Sequence, residues 1–269
     1  MFIKLSETHK TMSRTRLLIA VVMAIIAVIS YYSNTQVNPV TGEKQHIAIT
    51  PDQEIALGLQ SAPQMAGKFG GLYQDAKVQQ YVKQVGRKLV ASTEAASSPY
   101  QFDFHVLADP ETINAFALPG GQIFITVGLL KRLHTEDQLA GVLGHEIGHV
   151  IGRHSAEQMA KQQLSDGLIN AAVIAAQDPN NPNSSAAIAQ YVANVVSMKF
   201  GREDELEADR FGLNFMPKAG YKPAAMIDVL EILQQAMKGE RPPEMMSTHP
   251  YPENRIAQIQ EILAQQAQK

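Results

Sequence analysis

The sequence predicts an α+β fold that is mostly α: a small β-sheet, then a helix carrying a His-Glu-x-x-His pattern, then a downstream helix carrying glutamates. Three observations lead there. Strand-like alternation of apolar and polar residues is confined to residues 102–127. Capping-box signatures of helix starts stand at Thr50 and Thr135. Everything after residue 127 reads as helix or loop, the order of a sheet with helices segregated from it.

Taken in order, Leu17 to Ser30 is apolar up to its last residue, with Lys10, Arg14 and Arg16 before it and no basic residue after it until Lys44. That bias keeps the N-terminus on the cytoplasmic side and sends the rest across a membrane. The run is shorter than the roughly 20 residues of a comfortable span, and a start at Met12 would give a short Arg-bearing leader. Residues 1–32 are therefore a signal peptide or an N-terminal membrane anchor, the two remaining open. Residues 33–49 are polar and turn-rich, a tether, and residues 50–269 form the domain proper.

Thr50-Pro51-Asp52-Gln53 opens a helix, with Thr as N-cap, Pro at the first helical position and Gln as box partner. Val78, Tyr81, Val82, Val85 and Leu89 repeat at helical spacing. Phe102, Phe104 and Val106 alternate as in a strand, and Ile113–Leu118 and Gln122–Val127 read as two strands joined by the tight turn Pro119-Gly120-Gly121. The helix from Thr135 is expected to run to about Gln163. A loop at 178–185, a helix over about Ala186 to Met216, another opened by Pro223, a proline-rich loop at 239–252 and a polar final helix complete the chain.

Composition removes whole classes of function. In 269 residues, 45% are apolar, enough for a real core, and the net charge of −3 offers no basic field for nucleic acid. The absence of cysteine excludes a disulfide scaffold, a Cys-ligated zinc finger, a thiol nucleophile and a lipidated cysteine.

The chemistry lies in His145-Glu146-Ile147-Gly148-His149. Residues four apart stand about 40° from eclipsed on a helix, so both imidazoles project from one face and can hold one ion. Glu146 sits beside them, placed to take a proton from a metal-bound water without being a ligand; in zinc hydrolases that water has a pKa of about 7. Leu139, Val142, Leu143, Ile147, Val150 and Ile151 surround the motif, so the helix is expected to be buried nearly all round, where unpartnered His and Glu would be costly. Gly141, Gly144, Gly148 and Gly152 share one stripe although each costs about 1 kcal/mol against alanine, which implies that another backbone or a ligand packs very close, the backbone being the favoured reading.

A catalytic zinc keeps three protein ligands. The pattern HExxHxxGxxH fails at its last position, which is Ser155, and His154 lies about 140° around the helix from His149, so it reads as a surface or capping residue. The third ligand is sought in Glu203–Asp209. Glu205 shares a sector with Met198, Gly201, Ala208, Asp209, Gly212 and Met216, a small or apolar face, whereas Glu203, Glu207, Arg210 and Asn214 form an opposite, solvated stripe. Glu205 is thus expected to bind the metal and Asp209, one turn on, to orient a ligand histidine.

With these motifs the sequence resembles the gluzincin metalloendopeptidases, which join HExxH to a downstream ExxxD. That family includes prenyl-protein endopeptidases, membrane heat-shock proteases, mitochondrial Oma-type peptidases and periplasmic peptidases that police outer-membrane proteins. The likeness runs from roughly Asn38 to Ile259 through NPVTG at 38–42, NAFALPGG at 114–121, HEIGH at 145–149, ELEAD at 205–209 and STHP with a following arginine at 247–255, and is nearest the periplasmic, Oma-like branch. It implies a zincin-like domain in which His145, His149 and Glu205 bind zinc and Glu146 is the general base. It also implies that Asn114, Ala115 and Phe116 form an edge strand holding an extended peptide by strand addition. His249 would stabilise the tetrahedral intermediate or cap the zinc in a latent enzyme, with Arg255 pairing near the same loop. Many periplasmic relatives carry a lipobox cysteine before the NPVTG-like segment; without one, anchoring falls to residues 17–32 or is absent. Some relatives append a helical-repeat domain, which this sequence does not show.

The expectation is a zinc-dependent endopeptidase, with Zn2+ as cofactor, exported to the bacterial periplasm. It would hydrolyse unfolded or misassembled envelope proteins by attack of a zinc-bound water activated by Glu146. Its partner is a protein or peptide substrate bound as an extended strand, with no nucleic acid and with membrane association through the N-terminal segment. A chaperone-like binding module with a structural or latched zinc site is the other reading; Glu146, which has no role in a structural site, favours the enzyme.

Overall fold

The computed structural model describes residues 14–176, 201–237, 243, 245, 249 and 255–266, which fall into two compact units. In the smaller one, helix α1 (Arg14–Ser33) is long and apolar enough to cross a membrane, and most of its large side chains are exposed. The later part of helix α6 (His154–Ala176) belongs to the same unit. Its Gly167 packs so closely on α1 that a Cβ there would lie 2.6 Å from the Cβ of Ala27, the small-residue contact that lets two helices approach.

The larger unit begins at Gln36, within the first of two short paired strands, β1 (Thr35–Val37) and β2 (Lys44–His46). This stretch, read from sequence as a tether, carries two buried side chains that grip the end of the HExxH helix. Asn38 Nδ2 donates to Ile151 O at 2.8 Å and Gln45 Nε2 to Gly152 O at 2.6 Å. Helix α2 (Pro51–Lys68) starts with the expected box, Gln53 N donating to Thr50 Oγ1 and Thr50 N to Gln53 Oε1. Helix α3 (Ala76–Ala91) buries Val82, Val85 and Leu89.

The sheet has the order β3-β5-β4, with β3 (Asp103–Leu107) parallel to β5 (Gln122–Thr126) and β4 (Ala115–Ala117) antiparallel to it. Both faces are covered. Phe104, Val106, Ile123 and Ile125 join the main core, while Leu107, Phe116 and Phe124 pack with Phe69 on the other side. Every residue of β5 is therefore buried, which is why its QIFIT run lacks a solvent-facing alternation. The turn after β4 needs its glycine: Gly120 has φ of +78°, and a Cβ there would lie 2.3 Å from the Cα of Ile55 in α2.

A short helix α4 (Val127–Leu130) leads to α5 (Glu136–Ile151), which carries HExxH. Thr135 caps it as expected, but the Gln138 amide turns to His134 N at 2.6 Å rather than to Thr135. The helix expected to run to Gln163 is broken at Gly152-Arg153, where Arg153 takes a left-handed φ of +58° and α6 starts afresh. Arg153 is held there by a buried pairing with Glu54, Nε to Oε1 at 2.8 Å, and by a bond from Nη2 to Ile49 O at 2.9 Å.

Helix α7 (Arg202–Lys218) also departs from the expected span: Gly201 is extended and Asp204 Oδ2 accepts its N–H, so this is a true helix start. The loop at 178–185, and the part of that span before residue 201, lie outside the described residues. Helices α8 (Ala225–Ala236) and α9 (Arg255–Gln266) follow as expected. Among the described elements, α5 and α7 share the most extensive interface. The glycine stripe explains it: a Cβ on Gly148 would lie 2.9 Å from the Cα of Ala208, and one on Gly144 would lie 3.3 Å from the Cα of Gly212.

Candidate metal centre

Four side chains from three parts of the chain converge inside the larger unit. Helix α5 supplies His145 and His149, α7 supplies Glu205, and the segment between α8 and α9 supplies His249; all are buried. The close α5–α7 packing carries Glu205 to the histidines. His145 Nε2 lies 3.0 Å from His149 Nε2, and Glu205 places Oε2 3.5 Å from His145 Nε2 and Oε1 3.4 Å from His149 Nε2. His249 Nδ1 stands 2.9 Å from Glu205 Oε1 and 3.4 Å from His145 Nε2. Ligand atoms set tetrahedrally around one ion, at bonds of about 2.05 Å, would stand roughly 3.3 Å apart. The distances above, 2.9–3.5 Å, bracket that spacing, the four donor atoms all lie within 4.8 Å of one another, and nitrogen with oxygen donors fits a divalent metal ion.

Glu146 adjoins the cluster and has a different environment. It is fully buried, both carboxylate oxygens lack a hydrogen-bond partner among the described residues, and Oε1 lies 3.8 Å from His249 Nε2. Burial pushes its carboxyl above the usual carboxylate range. Glu205 is buried as well, but the charge of His249 and hydrogen bonds from the three histidines outweigh burial and hold it well below that range. Two buried acids whose carboxyls are shifted in opposite directions thus stand side by side.

Asp209, one turn beyond Glu205, accepts from His145 Nδ1 at 2.9 Å. Arg255 grips the same carboxylate with two bonds, Nε to Oδ2 at 2.5 Å and Nη2 to Oδ1 at 2.7 Å, and Nη1 lies 3.2 Å from Glu205 Oε2. Burial alone would raise Asp209, but the Arg255 guanidinium lowers it to about 2. Arg255 is thus built into the site far more firmly than its place in the sequence suggests.

Asn114, Ala115 and Phe116 lie at and just before β4, an edge of the three-stranded sheet. All three are buried, and Met245 N donates to Ile113 O at 3.3 Å just upstream. Two residues read from sequence as peripheral belong beside the centre. His154, expected as a surface or capping residue, is buried, with Nδ1 2.8 Å from His149 Nδ1. Glu207, placed on a solvated stripe, sits 3.2 Å from His154 Nε2. The 140° separation assumed an unbroken helix; the left-handed Arg153 removes that premise.

The fold and this cluster define the class, an HExxH helix and a glutamate-bearing second helix that meet at a candidate metal centre. The chain belongs to peptidase family M48, whose profile matches residues 76–263. It is 33% identical over 227 residues to the beta-barrel assembly-enhancing protease of Escherichia coli (strain K12), covering 81% of this chain and 45% of that protein. It is 29% identical over 238 residues to the mitochondrial metalloendopeptidase OMA1 of Schizosaccharomyces pombe, covering 87% and 68%. With the mitochondrial metalloendopeptidase OMA1 of Bos taurus it shares 29% identity over 255 residues, covering 90% and 48%. The chain thus spans about half the length of the first of these relatives.

Proposed function

We propose that this chain is a zinc-dependent endopeptidase that hydrolyses exported envelope proteins when they are unfolded or misassembled. The observation that carries the reading is Glu146, a buried carboxylate with no hydrogen-bond partner among the described residues, set against a cluster of potential metal donors. A bound zinc ion would polarise the scissile carbonyl and bring the pKa of its water toward about 7. In this reading His145, His149 and Glu205 hold the ion, and Asp209 takes the proton-bearing Nδ1 of His145 so that Nε2 faces inward. Glu146 accepts the proton of the attacking water at a carboxylate oxygen and returns it to the departing amine. The edge at Asn114, Ala115 and Phe116 offers backbone groups to an extended peptide, so recognition needs little side-chain specificity.

His249 stands between Glu205 and Glu146, where a substrate carbonyl would have to come. That position supports its capping the ion in a resting enzyme; with substrate in place the same imidazole is available to the tetrahedral intermediate. It also favours a second reading, a chaperone-like module whose site is latched shut. The relatives named for β-barrel assembly support envelope proteins as substrates, and α1 supports export to the periplasm, with residues 1–32 a leader or an inner-membrane anchor and residues 50–269 the peptidase domain.

Casein cleavage by the wild type, Glu146→Gln and His249→Ala separates these readings. The endopeptidase reading expects cleavage by wild type or His249→Ala and none by Glu146→Gln, which still binds zinc. Zinc-loaded forms that are all inert would leave the binding module as the function.

A further inference from the structure

The two imidazoles of HExxH are oriented differently. His145 hands its Nδ1 directly to a carboxylate, Asp209. His149 faces another imidazole, His154, with Nδ1 to Nδ1 at 2.8 Å and the rings edge-on at 4.8 Å between centroids. His154 in turn reaches Glu207 Oε2 from Nε2 at 3.2 Å. We propose that His154 and Glu207 are positioning residues for the metal centre. Glu207 fixes the His154 tautomer with its proton on Nε2, His154 Nδ1 accepts the Nδ1 proton of His149, and His149 Nε2 is left with its lone pair toward the ion.

The break between α5 and α6 is shaped for this. On a continuous helix His154 would point about 140° away from His149. Arg153, left-handed and pinned to the buried Glu54, breaks the helical phase, and the His154 ring meets His149. Gly152 leaves the room: a Cβ there would lie 2.3 Å from His154 Nε2. Two local departures from helical geometry thus serve one contact, and α7 adds Glu207 two residues after Glu205. The same helix then carries one acid toward the ion and a second toward the far end of the His149 chain. This proposal rests on the reading of His149 as a metal ligand.

The test is the Zn2+ affinity of the full chain by chelator competition, for wild type, His154→Leu, His154→Asn and Glu207→Ala. Loss of such an outer hydrogen bond weakens metal binding about 10- to 100-fold. His154→Leu keeps bulk but loses the acceptor and is expected to fall in that range, with Glu207→Ala in the same direction. His154→Asn sets Oδ1 where Nδ1 stood and is expected to recover most of the loss. A packing role predicts the opposite order, Leu tolerated and Asn damaging; that result, or unchanged affinity in all three variants, overturns the proposal. Wild-type protein that binds no zinc would overturn the metal reading itself and this proposal with it.

Discussion

At the scale of single residues, the site depends on buried charges that are matched by partners. Asp209 and Arg255 show the dependence most directly, because each is almost wholly buried and Arg255 spans Asp209 and Glu205. Removing one member of such a pair leaves the other uncompensated, at about 3–5 kcal/mol. Arg255→Met is therefore expected to lower the stability of the metal-free protein by that amount in urea unfolding, and a change within about 1 kcal/mol would show that the guanidinium is not needed to neutralise the cluster. Much of this was legible in sequence. His145, Glu146 and His149 follow from one helical repeat, and Glu205 and Asp209 from the apolar face of a second. What sequence phase could not supply was anything across a break or from a distant segment. His154 was misplaced because residue 153 leaves the helix; Glu207 keeps a partly exposed side chain on its stripe and meets His154 only through that break, and Arg255 has no phase relation to a carboxylate in another helix.

At the scale of elements, the centre exists because α5 and α7 approach to backbone contact. The glycine stripe predicted a close neighbour and α7 is that neighbour, met at Ala208 and Gly212. A Gly148→Val substitution must push α7 outward, since the obstructing atoms are backbone; overpacking of this kind costs about 1–3 kcal/mol. The same displacement carries Glu205 away, so zinc affinity is expected to fall along with the urea midpoint. Unchanged affinity would mean that α7 is not held by this contact. The sheet is tied to α3 by Lys83 and Asp103, 2.8 Å apart. Partial burial raises the Asp103 carboxyl, but the bond from Lys83 and the charge of His105 outweigh it, so the net shift is downward. A carboxyl lowered by folding contributes stability above its unfolded value and loses it as pH falls through the folded one. The urea midpoint is thus expected to drop more for wild type than for Asp103→Asn between about pH 6 and about pH 2.5, and equal drops would contradict a linkage at this pair. Strand positions were legible from alternation and turn glycines, whereas the parallel pairing of β3 with β5 was not, since register depends on contacts outside either strand.

For the whole molecule, the membership of peptidase family M48 goes with a pattern of scattered motifs that the fold gathers into one unit. NPVTG packs on the end of the HExxH helix through Asn38, NAFALPGG forms the sheet edge and its turn, and ELEAD brings one acid into the cluster and another to His145. None of these is next to another in sequence, yet all fall in the unit that contains the centre. Everything therefore depends on which residues would surround a bound metal ion. X-ray absorption at the zinc edge of the purified full chain tests it most directly. The expected spectrum shows one zinc per chain with imidazole nitrogens at about 2.0–2.1 Å and carboxylate oxygen beside them, altered in Glu205→Ala and unaltered in Glu146→Gln. A chain without zinc, or a spectrum that changes with Glu146 and not with Glu205, would contradict it.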